Sequence, residues 1–372
     1  MVKRNALPLF GLLVVPLFMS GCADTRRLVP LRMESLAITA GAPGAPVSIV
    51  SASGRVSAVF ADRSTMTLDL ISIPDALRLP ATAPTPMIID KVDISTPLPA
   101  TFGEHVLAAD GNAVRVLYLD RESDAKLVLK AASLPRDASQ WDLDIMDPPG
   151  DPLAILTDER GAVEAFWAAG GMKSRALSGI GPTSDVLPAF DLFHRPSTSG
   201  PHAFTAYGRV QRALFAVRHG AQGSSATVVP GAGAVHASLE RSDGTLSVLS
   251  WDEAARRLIL QEQKSPETAF TTTTVTLCDG TGSVAILPGS SASSYLILFD
   301  ETRLSGGGAT VSQLSLLAPG SLIGAGRTRY RKAIIASGEA PILGFAATRV
   351  ADALYVIVVQ GALKLYRIAL FP

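Results

Sequence analysis

The stretch "YLILFDE", from Tyr295 to Glu301, is an apolar run that ends abruptly at acids. The chain repeats the same layout, in which about six alternating residues end at Asp. The other copies are "SAVFAD" ending at Asp62, "RVLYLD" at Asp120, "LAILTD" at Asp158 and "SVLSWD" at Asp252. Self-similarity of this kind indicates a repeat architecture, in which each unit buries its apolar faces against its neighbours.

Each phrase is the first arm of a predicted β-hairpin. In "VRVLYLDRESDAKLVLKAA" apolar residues alternate over 114–119, polar residues follow, and alternation resumes over 126–132. Period-two alternation with β-branched residues is typical of strands, and Asp favours the turn because its carboxylate accepts backbone N–H groups. Two further units turn at Gly, near Gly208 and at Gly361, since Gly tolerates positive φ.

The spacing of these turns predicts the architecture. The seven turn positions are 62, 120, 158, 208, 252, 300 and 360, at intervals of about 50 residues, which is the length of one four-stranded propeller blade. We therefore predict an all-β fold, a β-propeller of seven four-stranded blades. Six or eight blades stay open as alternatives because the longest intervals contain loops, notably the Pro-rich segment 74–86.

The flanks of the hairpins supply the remaining strands. "AVHASLE" and "FTTTTVTL" flank the hairpin at Asp252, and "DLDIMD" with "MKSRAL" is assigned to the hairpin at Asp158. The last unit lacks an outer strand, whereas "LRMESLAIT" at 31–39 has no sheet of its own. We predict that this N-terminal strand pairs with the C-terminal strand 362–370, which closes the ring and removes an exposed edge.

One segment also supports a different structure. "SWDEAARRLILQEQ" carries apolar residues at helical spacing, and Ser250 with Glu253 forms a capping-box pattern. In register with its siblings the same segment is two strands of a hairpin. The repeat context favours the hairpin.

The N-terminus has the features of an export signal. Lys3 and Arg4 precede the apolar run 6–19, which is too short to span a bilayer, and small residues follow before Cys22. The junction "MSGC" resembles the lipobox of bacterial lipoproteins, with Met19 in place of the usual Leu. The alternatives are an ordinary cleaved signal peptide with an incidental Cys and a buried N-terminal core helix.

The resemblance to bacterial lipoproteins implies cleavage before Cys22 and acylation of that residue, which anchors the mature protein in a lipid bilayer. The predicted organisation is a signal peptide over 1–21, a tether over 22–30 and one propeller domain over 31–372. Ala23, rather than Asp, follows the Cys, and by the sorting habit of that family it suggests the outer membrane of the bacterial envelope.

Composition limits the remaining functions. The 33 basic and 33 acidic residues give a formal net charge of zero, and without a basic patch we expect no nucleic-acid partner. Besides Cys22 only Cys278 is present, so an intramolecular disulfide in the lipidated protein is excluded, and so is a zinc site built on cysteines. We expect no cofactor and no metal, and we expect Trp141, Trp167 and Trp251 to pack between blades.

Few residues are candidates for chemistry. Asp142 and Asp144 in "DLDIMD" face one way on a strand that we assign to the channel, where carboxylates bind a cation or a substrate hydroxyl. A water-filled channel lined with acids is the alternative. Asp120, Glu122 and Asp124 begin like a calcium loop, but Ala125 and Ala131 replace its essential Gly and Glu. The spacing of His194, His202 and His219 matches no compact metal motif.

The chain is similar to bacterial lipoproteins with a β-propeller body, a broad group whose members serve as assembly factors, binding modules or enzymes acting on polysaccharides. Fold alone does not choose among these functions. Our first hypothesis is a membrane-anchored interaction module for an envelope protein or glycan. The alternatives are a carbohydrate-active hydrolase or lyase that uses channel-facing carboxylates and a structural spacer without a specific ligand.

Overall fold

The computed structural model is all-β. It describes residues 32–75, 78–92, 105–121, 126–157, 162–177, 181–187, 192–197, 204–210, 213–220, 223–231, 233, 235–241, 243–265, 268–291, 294–304, 310–320 and 329–370. Within these ranges the chain forms 28 strands. No helix in the same ranges has the length and apolar character needed to cross a membrane.

The strands follow one another in groups of four along the chain. The first strand is β1 (Met33–Ile38), followed by β2 (Pro43–Ala52), β3 (Arg55–Asp62), β4 (Thr67–Pro74), β5 (Met87–Lys91), β6 (His105–Ala109), β7 (Ala113–Arg121), β8 (Leu127–Pro135) and β9 (Asp142–Met146). The middle of the chain forms β10 (Asp151–Thr157), β11 (Val163–Ala168), β12 (Met172–Ala176), β13 (Ser184–Leu187), β14 (Leu192–Ser197), β15 (Phe204–Val210), β16 (Ala213–Gly220) and β17 (Gly223–Val229). The last part forms β18 (His236–Glu240), β19 (Leu246–Asp252), β20 (Arg257–Gln263), β21 (Thr271–Leu277), β22 (Val284–Pro288), β23 (Tyr295–Leu304), β24 (Thr310–Gly320), β25 (Arg329–Gly338), β26 (Gly344–Val350), β27 (Ala353–Gln360) and β28 (Ala362–Ala369).

These strands form seven antiparallel four-stranded sheets, which confirms the predicted seven-bladed propeller. Blades 1 to 6 take their strands in sequence order, β2–β5, β6–β9, β10–β13, β14–β17, β18–β21 and β22–β25, and blade 7 has the order β26-β27-β28-β1. The first strands of neighbouring blades contact one another around the ring, as β2 does with β6 and with β26, and β10 with β6 and with β14. The first strand of each blade is therefore the inner strand beside the central channel.

The ring closes through β1, as the sequence predicts. β1 pairs antiparallel with β28, from Met33 opposite Ile368 to Ile38 opposite Leu363. Leu36 and Ile38 of β1 are buried in the core between blades 7 and 1. The start of the domain thus supplies the outer strand that the last blade lacks.

The antiparallel order defines two faces. At the upper face lie the turns from second to third strands and the connections from each outer strand to the next inner strand. At the lower face lie the turns from first to second and from third to fourth strands. Inner strands therefore begin at the upper face, and outer strands begin at the lower face.

The core consists of seven apolar clusters, each between two adjacent blades, which fits a closed ring. Burying both faces of every sheet accounts for apolar residues on alternate sides of each strand. The prediction for the tryptophans is confirmed. Trp167 packs between blades 2 and 3, Trp141 between blades 1 and 2, and Trp251 between blades 5 and 6.

Two assignments made from the sequence have different outcomes. The segment with helical spacing forms the strands β19 and β20, so the repeat context was the correct guide. The assignment of "DLDIM" to the hairpin at position 158 was wrong: β9 is the outer strand of blade 2 and pairs with β8. β10, which ends at Thr157, is the inner strand of blade 3. Alternation alone does not reveal which of four similar strands is the inner one.

Candidate functional site

The central channel is the first place to look for a site, because seven inner strands converge there. These strands are rich in small and aliphatic residues, as in "VSIVSA" of β2, "HVLAA" of β6, "VAILP" of β22 and "GFAAT" of β26. Every residue of β26 is partly exposed, as expected of a strand beside an open channel. The described channel wall is therefore mostly uncharged.

The inner strands of the described structure carry acids at only two positions. Asp151 begins β10 at the upper mouth of the channel and is exposed, yet desolvation by the surrounding protein raises its pKa above the ordinary value. Glu240 ends β18 at the lower face, where it is buried. Opposite ends of the channel cannot supply the closely spaced carboxylate pair that glycosidic cleavage requires.

Asp142 and Asp144 do not reach the channel, so their predicted placement was wrong. Both lie on β9, the outer strand of blade 2, and both are exposed at the rim of the ring. Asp144 accepts a hydrogen bond from Nη2 of Arg175 at 3.0 Å, which links blade 2 to blade 3. Asp142 and Asp144 therefore cannot bind a cation or a substrate in the channel.

At the upper face, two of the repeated Asp residues have the same structural role. Asp62, at the end of a second strand, accepts backbone hydrogen bonds from Gly41 at 2.7 Å and Ala42 at 3.0 Å, in the connection that leads into the inner strand of the same blade. Asp300 does the same for Gly282 at 2.9 Å and Ser283 at 2.7 Å. In each case the carboxylate ties the incoming chain to the second strand.

The last blade uses an amide for the same purpose. Gln360 at the end of β27 donates hydrogen bonds from Nε2 to the carbonyls of Ala340 and Ser312, both at 2.9 Å. Asp252, by contrast, accepts within its own turn among the described residues, from Ala255 N at 3.2 Å and Arg257 Nε at 3.1 Å. Asp62 and Asp300 are therefore structural ties at the upper face.

A buried ionic network lies within blade 6, on the side of the sheet that faces blade 5. Glu301 accepts hydrogen bonds from Lys332, Arg303, Gln313 and Ser315. Burial alone would raise the pKa of Glu301, but the hydrogen bond and charge of Lys332, with the other donors, hold it below its ordinary value. The ammonium of Lys332 also lies 5.2 Å from the ring centroid of Phe299.

Cys278 lies near this network but is not activated by it. Its thiol is buried, and burial raises the pKa to about 11. Because a thiolate is the nucleophilic form of cysteine, a raised pKa indicates a structural residue. Cys278 directly follows Leu277, the last residue of β21, and is a small buried residue of the core.

A second polar cluster joins blades 1 and 2. Lys130 Nζ lies 2.9 Å from Asp90 Oδ2 and 2.6 Å from Asp120 Oδ2. The hydroxyl of Tyr118 donates to Asp90 at 2.7 Å, and burial followed by this bond raises the pKa of Tyr118 far above its ordinary value. These contacts occupy Asp120, the first residue of the calcium-like stretch, whereas residues 122–125 lie outside the described ranges.

A third cluster lies between blades 5 and 6 at the lower face. The Tyr295 hydroxyl bonds to Glu262 and Ser247, and the guanidinium carbon of Arg241 lies 4.2 Å from the centroid of the Tyr295 ring. Nη2 of Arg241 is 3.8 Å from Glu262 Oε1. Burial raises the pKa of Tyr295, and it raises that of nearby Tyr330 to about 12. Both phenols are therefore neutral at physiological pH.

A fourth cluster links blades 4 and 5. Glu240 accepts a hydrogen bond from Thr205 and faces Arg218, whose Nε is 4.0 Å from Glu240 Oε1. All three side chains are buried. Sequence reasoning missed these clusters and the network of Glu301. The acid that follows the apolar run "YLILFD" indicates a buried charge, but it does not identify the partner.

The remaining candidates from the sequence are not placed by the structure. Cys22 lies outside the described ranges, as does His202, and nothing is described of the side chains of His194 and His219. No group of three or more His, Cys, Asp or Glu residues able to hold a metal ion occurs in the described part of the chain.

Comparison with known proteins bears on the fold only. No protein-family model matches the sequence, and no curated protein matches it. Among solved structures, a polysaccharide lyase of family PL25, an ulvan lyase, is 10% identical, with a TM-score of 0.58, over 90% of this chain and 95% of its own. At this identity the likeness defines the class of fold, a β-propeller.

Two further solved structures have weaker likeness to this chain. The GH43_1 enzyme from Xanthomonas citri, complexed with xylose, is 12% identical, with a TM-score of 0.35, over 77% of this chain and 90% of its own. A mutant of Aleuria aurantia lectin in complex with α-methyl-L-fucoside is 12% identical, with a TM-score of 0.43, over 80% of this chain and 97% of its own. Likeness at these scores carries no functional argument.

Proposed function

We propose that the chain is a lipid-anchored β-propeller of the bacterial envelope, in the outer membrane, that works as an interaction module for an envelope protein or glycan. The observation that carries this proposal is the position of the buried charged side chains in the ring. The clusters around Lys130, Glu262 and Glu240 lie between blades, with partners inside the chain. Because these side chains hold neighbouring blades together, the ring is a rigid scaffold that presents its loops.

The anchor is tested with the full-length protein expressed in a bacterium. Cys22→Ser removes the acylated sulfur, so the protein should move from the membrane fraction to the soluble fraction and lose incorporation of labelled palmitate. Cys278→Ser is the matched control, because it removes the only other thiol, and it should stay in the membrane. Equal membrane association of both variants would refute the anchor.

The interaction role is tested with the lipidated protein as bait in detergent-solubilised envelope. We expect one envelope component to be retained in saturable amounts and competed by excess unlabelled propeller. Retention by an unrelated lipidated protein of the same components, or retention of none, would favour the spacer alternative.

A carbohydrate-active enzyme is the second candidate. Asp151 favours it, as a carboxyl group with raised pKa at the upper channel mouth. The propeller architecture is also shared with a polysaccharide lyase. Acidic and neutral polysaccharides should be incubated with the protein and tested for new reducing ends and for the ultraviolet absorbance of unsaturated products.

Under the enzyme alternative, Asp151→Asn abolishes turnover. Glu253→Gln, which changes an exposed acid in a turn, serves as the control and leaves turnover unchanged. Turnover that survives Asp151→Asn would remove the channel-mouth carboxyl from the mechanism.

A further inference from the structure

We propose that β9, the outer strand of blade 2, is a docking edge for an extended segment of a partner protein in which basic and apolar residues alternate. The segment adds a fifth strand to the sheet of blade 2. This inference rests on the proposed interaction role and deepens it, because it names a protein strand, and not a glycan, as the ligand. It does not depend on the acylation of Cys22.

The backbone of β9 has one free side. All five residues of β9 pair with β8, and no strand lies on the other side of β9 in the described structure. In an antiparallel pair, alternate residues turn their N–H and C=O groups away from the partner strand. Arg175 Nη1, from blade 3, donates to the carbonyl of Ile145 at 3.0 Å, which indicates that Ile145 and, by alternation, Leu143 face outward. The backbone groups of Leu143 therefore point to the position of an added strand.

The pairing of β9 lacks the irregularity that protects other edges of the ring. The outer strands β5, β13, β21 and β25 have a register shift, which disrupts the ladder at the edge, whereas β9 pairs regularly with β8. β9 also exposes two large aliphatic side chains, Leu143 at 51% and Ile145 at 56%. β1 and β17 are regular as well, but each exposes one such side chain among the described residues.

The two sides of β9 differ in chemistry. Asp142 and Asp144 lie on the same side as Met146, which is buried between blades 2 and 3. Leu143 and Ile145 lie on the opposite side, towards blade 1. A strand added to this edge therefore meets carboxylates along one of its sides and aliphatic groups along the other.

The acids select a basic partner. In the part of the chain that the structure describes, Asp142 makes no hydrogen bond or ion pair with another residue, and Asp144 bonds to Arg175 through Oδ2. Opposite charges in opposed cross-strand positions stabilise a sheet, and like charges destabilise it. A strand with Lys or Arg opposite both acids and apolar residues between them fits this edge. A second copy fits less well, because antiparallel pairing of β9 with itself about Asp144 opposes two carboxylates.

The edge is held in place before a partner binds. Directly after β9, the carbonyl of Asp147 accepts a hydrogen bond from Thr183 Oγ1 at 2.8 Å. The carbonyl of Pro148 accepts one from Trp167 Nε1 at 2.8 Å. Both donors belong to blade 3, so the end of β9 is fastened to the next blade. Because the edge is preformed, the loss of conformational freedom on binding falls mainly on the partner segment.

The docking edge is tested with the full-length protein in a nonionic detergent and the fluorescein-labelled peptide KVKVKVK. We expect saturable binding by fluorescence anisotropy, at least about tenfold tighter than that of KKKKVVV, which has the same composition but cannot place its lysines along one side of a strand. Hydrogen exchange in the fragment that contains Leu143 should slow when KVKVKVK binds.

Two exposed positions of β9 provide the variants. Asp142→Lys should weaken binding of KVKVKVK about three- to tenfold and strengthen binding of EVEVEVE, because the cross-strand charge pair changes sign. Leu143→Ser removes an exposed aliphatic side chain and should weaken binding of KVKVKVK without this change of charge preference. Glu253→Lys, the same charge change in an exposed turn of blade 5, is the control and should leave binding of both peptides unchanged.

Equal binding of KVKVKVK and KKKKVVV, or equal binding of KVKVKVK by wild type and Asp142→Lys, would overturn the docking edge. Dimerisation of the full-length protein that Leu143→Ser abolishes would assign the edge to a second copy and would overturn it too. In the envelope pull-down, a component retained equally by wild type and Asp142→Lys would refute the edge but keep the interaction role. Retention of no component would refute the interaction role itself, so the two failures are distinguishable.

Discussion

At the scale of single residues, Asp62 shows how one carboxylate organises a blade. Burial alone would raise its pKa, but hydrogen bonds from the Ser64 hydroxyl and from the backbone of Gly41, Ala42 and Ser64 hold it below the ordinary value. The sequence correctly predicts that the Asp accepts backbone N–H groups. Gly41 and Ala42 lie about twenty residues earlier in the chain, so local turn chemistry could identify only Ser64 as a donor.

Asp62→Ala should destabilise the protein by about 1–3 kcal/mol, because two backbone donors at the upper face lose their acceptor. Urea unfolding monitored by circular dichroism measures the loss. Asp252→Ala is the matched control, since the hydrogen bonds of Asp252 to described residues all lie within its own turn. We expect a smaller loss there, and equal losses would mean that the long-range tie contributes nothing.

Glu301 makes stability depend on pH. Its pKa in the folded protein is lowered, so its stabilisation is fully present above the unfolded-state value of about 4.3 and is lost as the pH falls through the folded-state value. At pH 7, Glu301→Gln should cost about 3–5 kcal/mol, because Lys332 keeps a buried charge without its counter-ion.

The difference in unfolding free energy between wild type and Glu301→Gln should therefore shrink as the pH falls below about 4.3. Glu253→Gln, at an exposed turn, should show no such pH-dependent difference. A difference that stays constant from neutral to acidic pH would contradict the assigned network.

At the scale of the strands, the sequence predicts hairpins better than it predicts their position in the blade. The second-strand turns at 62 and 252 occur where the Asp predicts them. β15 runs through Gly208 to Val210 and β23 through Asp300 to Leu304, so those turns come later. A strand that is extended past an Asp keeps the same alternation, and the pattern cannot mark its end.

The same ambiguity explains the error at Asp142 and Asp144. Inner and outer strands of a blade share the two-residue period, and only packing against neighbouring blades decides which one lies beside the channel. The first four residues of β9, "DLDI", are all exposed, as expected of an outer edge strand. The sequence "DLDI" is compatible with that position but does not require it.

The closing strand offers a direct test of the ring. Deleting residues 31–40 removes β1, with Leu36 and Ile38, each worth about 1.5–3 kcal/mol of buried apolar side chain, and exposes the edge of β28. Deleting residues 23–29 removes only tether. We expect the first deletion to lower the urea midpoint far more than the second, and equal midpoints would show that β1 does not close the ring.

At the scale of the whole molecule, the count of seven blades was predictable because each blade contributes one recognisable hairpin. The count survives the wrong assignment at position 158, since a turn between first and second strands also occurs once per blade. The interblade clusters were not predictable, because their members come from different repeats and no sequence spacing connects Glu240 with Arg218 or Tyr118 with Asp90.

A closed ring should also unfold as a unit. Every blade has two neighbours, so no blade can unfold without exposing two interfaces, and we expect one cooperative transition in the intact protein. Without residues 31–40 the ring has two free ends, and unfolding can start there. The unfolding transition should then be broader, and the unfolding free energy should depend less steeply on urea concentration. Equally steep transitions in both proteins would contradict cooperative closure.

The seam in blade 7 has a consequence for biosynthesis. In blade 7, β1 is synthesised before the strands of blades 1 to 6, and β26, β27 and β28 are synthesised after them. The sheet therefore cannot assemble until β28 has been made. During synthesis the nascent molecule is an arc whose first and last interfaces are bare. A frameshift or stop codon even at residue 360 would remove β28, which pairs with β1 on one side and with β27 on the other. Both of these strands would then lose a hydrogen-bonded neighbour.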